Sequence, residues 1–238
     1  MRLDKLVSNA GYGSRKDVKT MLKKKRITVN NKIIRDGSFQ VDPAADVVKL
    51  DEKIIHYEKY IYLMLHKPPG VVSATADAKD KTVIDLLDTA EKHFDPFCVG
   101  RLDKDTEGLL LLTNDGELAH ELTSPKKEIE KTYFAKINGT VTEADIDRFK
   151  KGVVLDDGYQ TKPAGLRILK SGEDSEVEIT ITEGKFHQIK RMFQAVGKKV
   201  VYLKRLSMGG ITLDERLPIG AYRRLTEEEQ SSLETLKK

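Results

Sequence analysis

Residues 100–116 read Gly-Arg-Leu-Asp-Lys-Asp-Thr-Glu-Gly-Leu-Leu-Leu-Leu-Thr-Asn-Asp-Gly. The stretch joins a charged loop, with a glycine at each end, to the apolar run 109–112 and the turn signal 114–116. An apolar run between turn signals predicts a buried strand. The charged loop must therefore approach the domain interior, where an ionised carboxylate is costly unless it is paired or used in chemistry.

The carboxylate at the centre of this loop is Asp103, which lies between Arg101 and Lys104, with Asp105 and Glu107 just beyond. Spacing alone leaves two interpretations open. The loop could be solvated and pair its charges internally, or it could hold a functional carboxylate beside a cation, because both arrangements place acidic residues next to basic ones.

Composition indicates a globular protein with a highly charged surface, since 34% of the 238 residues are charged and 39% are hydrophobic. No apolar run approaches the length of a membrane span, and residues 1–4 show no signal-peptide pattern, so we expect a cytoplasmic protein. Cys98 is the single cysteine, which excludes an internal disulfide and a cysteine-based metal cluster. Without a nucleotide-type glycine loop or metal-ligand spacing, the sequence predicts no cofactor and no metal.

Positive charge is concentrated at the start of the chain, where residues 1–56 contain 13 Lys or Arg against 7 Asp or Glu. Ser14 is a predicted helix N-cap, and Val18 and Leu22 give that helix an apolar side. Its other side is basic, and we predict phosphate contacts there for three residues. They are Arg15, Lys16 and Lys19. A polyanionic partner suits this distribution, although a merely solvated face is the alternative.

The rest of the chain alternates strand and helix patterns. Residues 131–137 and 177–181 alternate with period two, which is typical of half-buried strands. Residues 185–193 predict a helix whose core side includes Phe186, Ile189 and Phe193.

The stretch 100–116 resembles the catalytic motif of RNA pseudouridine synthases, in the branch that modifies ribosomal RNA. Two basic helices followed by short strands over 1–56 resemble the S4-type RNA-binding module. The resemblance implies an α+β protein with an S4-like domain at 1–56, a linker at 57–60 and a catalytic domain at 61–238. The catalytic domain is expected to contain a mixed, largely antiparallel sheet.

The resemblance also implies roles for particular residues. Asp103 matches the catalytic aspartate, and the Lys-Thr-Tyr match at 131–133 implies that Tyr133 stacks on the target base. The Gln-Ile-Lys match at 188–190 implies that Lys190 pairs with Asp103 and that Ile189 packs near the bound uracil. Many relatives have arginine at the position of Lys190, so a bidentate pair is replaced here by a point charge. Further predicted contacts with substrate are Arg101 and Arg191, and with RNA they are Lys126, Lys127 and Arg205.

The implied reaction is isomerisation of one uridine in RNA to pseudouridine. Segments 184–193 and 209–214 resemble the enzymes of the small-subunit (16S) rRNA more than those of the large subunit. The expected partner is ribosomal RNA or an assembling small ribosomal subunit, with no DNA and no membrane, and the expected state is a monomer.

Three alternatives remain at this point. The enzyme could act on large-subunit (23S) rRNA, or the chain could be a ribosome-assembly factor that binds RNA without catalysis. A glycoside hydrolase would need a second carboxylate across the bond from Asp103, for which Asp105 and Glu107 are candidates.

Overall fold

The chain begins with two short helices and four short strands in a computed structural model that describes residues 1–237. These elements are α1 (Leu3–Asn9), α2 (Arg15–Lys23), β1 (Ile27–Val29), β2 (Lys32–Ile33), β3 (Val48–Leu50) and β4 (Lys53–Ile54). The strands form an antiparallel sheet in the order β2-β1-β3-β4. The helices and strands predicted for this part of the sequence are therefore present.

Helix α2 starts where its capping residues predict. The Ser14 hydroxyl accepts a hydrogen bond from the Asp17 N–H at 3.3 Å, and the Asp17 carboxylate accepts one from the Ser14 N–H at 2.9 Å. This reciprocal pair satisfies two amide groups that the first turn of a helix leaves free. Val18 and Leu22 are buried against α1 and the sheet, so the basic side chains of α2 are left in solvent.

The remaining described elements continue in chain order. They are β5 (Tyr62–Lys67), a 3-10 helix (Val83–Leu86), α3 (Thr89–Lys92), β6 (Phe97–Cys98), β7 (Glu107–Thr113), α4 (Gly116–Thr123), β8 (Lys131–Asn138), α5 (Glu143–Lys151), β9 (Gly165–Lys170), β10 (Asp174–Ile181), α6 (Gln188–Ala195), β11 (Lys199–Met208), β12 (Ile211–Thr212), β13 (Tyr222–Arg224), α7 (Glu227–Glu234) and a 3-10 helix (Thr235–Lys237).

The chain divides into two compact units. The first contains Met1–Ile61 together with Asp88–Asp95, a segment that includes α3. The second contains Tyr62–Leu87 and the described chain from Pro96 onward. No helix within residues 1–237 is both long enough and apolar enough to cross a bilayer.

A nine-stranded mixed sheet organises the second unit. Seven strands follow the order β13-β5-β7-β11-β8-β10-β9, while β12 pairs with β11 and β6 pairs with β7. All of these pairings are antiparallel except that of β7 with β11. The expected α+β class with a mixed, largely antiparallel sheet is therefore confirmed.

Gly108 permits the single parallel pairing. It lies opposite Arg205 in the register of β7 and β11, with φ at +107°. A Cβ atom at this position would lie 2.3 Å from the Arg205 carbonyl oxygen and 2.6 Å from its amide nitrogen. Because both contacts are with backbone, no larger residue fits unless the strands separate. The strand that follows the charged loop is placed by this close approach.

The start of α6 differs from the sequence prediction. The helix begins at Gln188 rather than Lys185, and Phe186, expected in the core, is 75% exposed. The Gln188 side chain accepts a hydrogen bond from the Lys185 N–H and donates one to the Glu183 carboxylate. These bonds hold 183–187 in a turn ahead of the helix, and His187 adopts a left-handed φ of +49°. The helix prediction was therefore wrong for residues 185–187.

Candidate active site

A cleft opens in the second unit between the charged loop 101–106, strand β8 and the start of α6. A small recess of about 80 Å³ is lined by residues that include Asp103, Tyr133, Ile189 and Lys190. The recess shares several lining residues with a wider cavity of about 640 Å³. The structure thus brings the four residues with predicted roles in chemistry and base binding to one concave site.

The charged loop is held in place by the segment that precedes it in the sheet. The buried ammonium of Lys67 donates hydrogen bonds to three carbonyl oxygens, those of Thr106 at 2.9 Å, Pro68 at 3.0 Å and Lys104 at 3.3 Å. The Ser73 hydroxyl donates to the Leu102 carbonyl and accepts from the Leu102 N–H, at 2.8 and 3.1 Å. Residues on both sides of Asp103 are therefore anchored through their backbone.

Lys67 has no exposed surface, and this changes its acid–base behaviour. Burial lowers the pKa of the Lys67 ammonium to about 8, and the nearby carboxylates of Asp105 and Asp103 oppose that shift only in part. The same ammonium is a source of positive charge beneath the loop. It therefore anchors the loop and favours carboxylates on it.

Asp103 faces Lys190 directly. The Lys190 ammonium lies 3.1 Å from Asp103 Oδ2 and donates to Asp105 Oδ1 at 2.6 Å, so one cation serves two carboxylates. His187 Nε2 lies 3.7 Å from Asp103 Oδ2. The Asp103 side chain is 27% exposed, which leaves part of the carboxylate accessible from the cleft.

Electrostatics at this cluster favour charged groups. Burial tends to raise the pKa of the Asp105 carboxyl, but the hydrogen bond and charge of Lys190 outweigh it and hold that pKa below its usual range. Burial likewise tends to lower the pKa of Lys190, but its bonds to Asp105 and Asp103 raise it. The cluster therefore keeps a fixed ammonium beside the Asp103 carboxylate at neutral pH.

The recess has an aromatic and apolar wall. Tyr133 is buried in β8, and Ile189 is buried in the first turn of α6. Both line the recess, as does the exposed Arg101 at the start of the charged loop. A flat aromatic ring, an apolar side chain and a carboxylate around one small space suit a planar base better than an extended chain.

Arg191, predicted to contact substrate, and Lys126 and Lys127, predicted to contact RNA, lie outside the cleft. Arg191 forms ion pairs with Asp156 and Asp157, and it lines neither the recess nor the wider cavity. Lys126 is exposed after α4, while Lys127 forms an ion pair with Glu121. The structure does not bring these three cations to the cleft.

Arg205 is buried rather than exposed, at 2% of its accessible surface. Its Nε donates to the Leu109 carbonyl oxygen at 2.7 Å, and its side chain borders the wider cavity. Its Nη2 has no hydrogen-bond partner within the described residues 1–237. A contact between Arg205 and RNA stays a prediction, and its observed bond is to the strand that follows the loop.

The two carboxylates considered for a glycoside hydrolase form hydrogen bonds with other residues of the protein. Asp105 turns to Lys190 and borders neither the recess nor the cavity. Glu107 accepts a hydrogen bond of 2.7 Å from the Tyr202 hydroxyl. Neither residue faces Asp103 across the cleft, so the arrangement needed for hydrolysis of a glycoside is not formed by them.

Sequence reasoning missed the supporting residues of the site. Lys67 and Ser73 match no functional pattern in the sequence, yet both hold the charged loop. The structure also places the ring of His187 at the cleft beside Asp103. The sequence contains one signal for the role of Lys67, which is its position at the end of an apolar strand. A lysine buried there needs several hydrogen-bond acceptors.

Comparisons with known proteins agree with this geometry. A family model described as RNA pseudouridylate synthase matches residues 61–195, and one described as S4 domain matches residues 1–48. An uncharacterized RNA pseudouridine synthase of Bacillus subtilis is 51% identical over 230 residues, which cover 96% of each chain. The ribosomal small subunit pseudouridine synthase A of Vibrio cholerae is 41% identical, over 98% of this chain and 99% of the relative.

A solved structure extends the likeness to three dimensions. A crystal structure of pseudouridylate synthase is 36% identical, with a TM-score of 0.68 over 99% of both chains. The family model covers more than half of this chain, and the relatives match nearly all of it. The chain therefore belongs to the RNA pseudouridylate synthase family and includes an S4 domain.

Proposed function

We propose that this protein isomerises a uridine of small-subunit ribosomal RNA to pseudouridine, with Asp103 as the catalytic carboxylate. The observation that carries the proposal is the pairing of Asp103 with Lys190 at 3.1 Å on the wall of a recess that also contains Tyr133. The small-subunit target is supported by the full-length similarity to enzymes named for that subunit.

The reaction breaks the bond between N1 of uracil and C1′ of the ribose and forms a bond between C5 and C1′. No atom is gained or lost overall, because the proton released from C5 is balanced by the proton that N1 acquires. An ionised carboxylate is needed, either as a nucleophile or to stabilise a cationic sugar. Lys190 places a positive charge 3.1 Å from Asp103 Oδ2, which holds the carboxylate in position in the cleft.

The aromatic wall has a separate task. Between bond cleavage and bond formation, the detached uracil must stay in the recess and turn so that C5 faces C1′. The ring of Tyr133 offers a flat surface for stacking, and Ile189 adds an apolar contact to the same recess. Both contacts tolerate rotation of the base because neither is a directional hydrogen bond. In this proposal the exposed Arg101, which also lines the recess, contacts the substrate RNA.

The S4 unit supplies the docking surface in this proposal. Arg15, Lys16 and Lys19 are exposed on one side of α2 and are free to approach phosphates. The partner is ribosomal RNA or an assembling small subunit rather than DNA. A monomer located in the cytoplasm, where ribosomal RNA is processed, is sufficient for this function, and no step of it needs a cofactor or metal.

The test is carbodiimide mapping of pseudouridine by reverse transcription, on ribosomal RNA from cells lacking the protein. Wild type is expected to restore one stop in small-subunit RNA, and Asp103→Asn is expected to restore none while still binding RNA. Asp105→Asn is the matched control, because it removes a carboxylate charge two residues away and leaves the Lys190 ammonium paired with Asp103.

The outcomes separate the alternatives. A restored stop in large-subunit RNA would reassign the target, and no stop in either RNA would favour an assembly factor without catalysis. An Asp103→Asn variant as active as wild type would remove Asp103 from the catalytic role.

A further inference from the structure

The most exposed large apolar side chain in the described residues is Phe186, at 75%. It lies beside the active site, where it borders the wider cavity together with Asp103 and Tyr133. The other strongly exposed apolar residues, such as Val154, Val201 and Ile219, border neither this cavity nor the recess. An exposed aromatic ring beside a functional cleft indicates a binding site.

Phe186 forms a flat surface with its neighbour. Its ring stacks on that of His187, with centroids 3.8 Å apart and planes inclined by 18°. One face of Phe186 is thus covered by His187, and its high exposure leaves the other side open to solvent. Flat, exposed aromatic surfaces are what proteins use to stack unpaired RNA bases.

The backbone holds this pair in position. The Lys185 N–H donates to Gln188 Oε1 at 2.8 Å, and Arg191, itself paired with Asp156 and Asp157, donates to the Phe186 carbonyl at 3.5 Å. His187 adopts φ of +49°, a conformation that is uncommon for a residue with a side chain. The exposure of Phe186 is therefore built into the turn rather than left to a flexible loop.

The surrounding charge favours a nucleic-acid ligand. Five cations border the wider cavity against three carboxylates. The cations are Arg101, Lys104, Lys131, Lys185 and Arg205, and the carboxylates are Asp77, Asp103 and Glu183. An aromatic surface inside a net positive cavity matches a base attached to a phosphodiester backbone.

The target base has a different proposed position. Tyr133 and Ile189 line the small recess with Asp103, whereas Phe186 lines the wider cavity and not the recess. We propose that Phe186, backed by His187, is a stacking platform for an RNA base that flanks the target uridine in the substrate strand. This inference rests on the proposed function, because it needs the uridine to occupy the recess.

The proposed stacking contact can be tested by changing either the protein side chain or the RNA base. After the target uridine is mapped with wild type, RNA fragments of the small subunit are prepared with a single abasic residue at each flanking position. At one flanking position, loss of the base is expected to raise the KM of wild type on the order of tenfold, which is the range of base–aromatic stacking. The same abasic RNA is expected to raise the KM of Phe186→Ala less than twofold. Such non-additivity identifies a direct contact.

Variants of matched size separate stacking from apolar bulk. Phe186→Tyr keeps a planar ring and is expected to retain the wild-type KM, whereas Phe186→Leu is expected to behave like Phe186→Ala. Val201→Ala is the control for an exposed apolar residue outside the cleft and is expected to change nothing. Melting temperatures of all four variants should match wild type, because the altered side chains are exposed.

A second readout does not depend on turnover. In an Asp103→Asn background, 2-aminopurine at the flanking position is expected to lose fluorescence on binding, and Phe186→Ala should reduce that quenching. If wild type forms pseudouridine but no abasic position distinguishes it from Phe186→Ala, the platform is rejected while the proposed function stands. If wild type forms no pseudouridine, the proposed function fails and the platform falls with it.

Discussion

Two groups of basic residues in this molecule use the same side chains in opposite ways. On α2, Arg15, Lys16 and Lys19 are exposed to solvent, and none of them forms a salt bridge within residues 1–237. In the active site, Lys190 has two carboxylate partners, and Lys67 is wholly buried among carbonyl oxygens. The first group is available to an external polyanion, whereas the second organises the protein's own carboxylates.

This difference decides what each group can do. An exposed cation acts on a phosphate through a screened interaction that weakens with salt. A partly buried cation beside a carboxylate is screened far less and shifts the protonation of its partner. We therefore expect substitutions in the active-site group to change catalysis or folding, and substitutions on α2 to change the salt dependence of RNA binding.

The largest effect on catalysis among the cations is expected at Lys190. Lys190→Met leaves Asp103 and Asp105 as two neighbouring carboxylates without their shared cation, so they repel each other and Asp103 is no longer held in position. We expect kcat to fall roughly a hundredfold at neutral pH. Single-turnover assays at saturating RNA measure this loss.

Lys190→Arg is the matched control for this substitution. Arginine keeps the charge and can bond both carboxylates, so kcat should stay within about tenfold of wild type. A Lys190→Met enzyme with normal kcat would show that the ion pair is only structural.

Lys67 is expected to affect folding more than RNA affinity. Lys67→Met removes the donor for the carbonyl groups of Pro68, Lys104 and Thr106 and frees the charged loop. The substitution also removes the cost of burying an ammonium, but the loss of these hydrogen bonds is larger. The free energy of unfolding should therefore fall by about 2 kcal/mol at pH 7. Urea unfolding measures this loss. An unchanged free energy of unfolding would show that the loop holds its position without Lys67.

The buried ammonium also predicts a pH dependence of stability. The pKa of Lys67 is lowered by burial to about 8 in the folded protein, from an ordinary value of 10.5. Above pH 8 the unfolded chain binds more protons at this group than the folded one, so its contribution to stability rises with pH. Wild type should therefore gain up to about 1 kcal/mol over Lys67→Met between pH 8 and 9. Above pH 9 the Cys98 thiol opposes this trend in both proteins, since burial raises its pKa to about 11.

Lys131 provides the comparison for Lys67. Burial, and then the charge of Arg205, also lower its pKa to about 8, but its ammonium donates to a single carbonyl, that of Ile129 at 2.7 Å. Lys131→Met should remove a part of the pH dependence of the free energy of unfolding similar to that removed by Lys67→Met. At pH 7 it should lower that free energy less than Lys67→Met does. Equal losses for the two variants at pH 7 would show that the three-carbonyl anchor has no special importance.

The two groups also differ in how well the sequence predicts them. The basic side of α2 follows from local periodicity and a capping pair, and the roles of Asp103, Tyr133 and Lys190 follow only from resemblance to a family. The anchoring by Lys67 depends on carbonyl groups 37 and 39 residues away, which no local pattern indicates. Phe186 was misplaced because its spacing from Ile189 fits a helix, whereas the bonds of the Gln188 side chain delay the helix start.

The smallest effect on chemistry is expected from the α2 group. Replacing Arg15, Lys16 and Lys19 together by alanine removes up to three phosphate contacts, so the slope of log affinity against log salt should fall by about one to two units. Turnover at saturating RNA should not change, because no reacting group is touched. Arg26→Ala is the control, since Arg26 is already neutralised by its bonds to Asp51. Equal slopes for wild type and the triple variant would place RNA docking on another surface and would leave the charge excess of the first 56 residues unexplained.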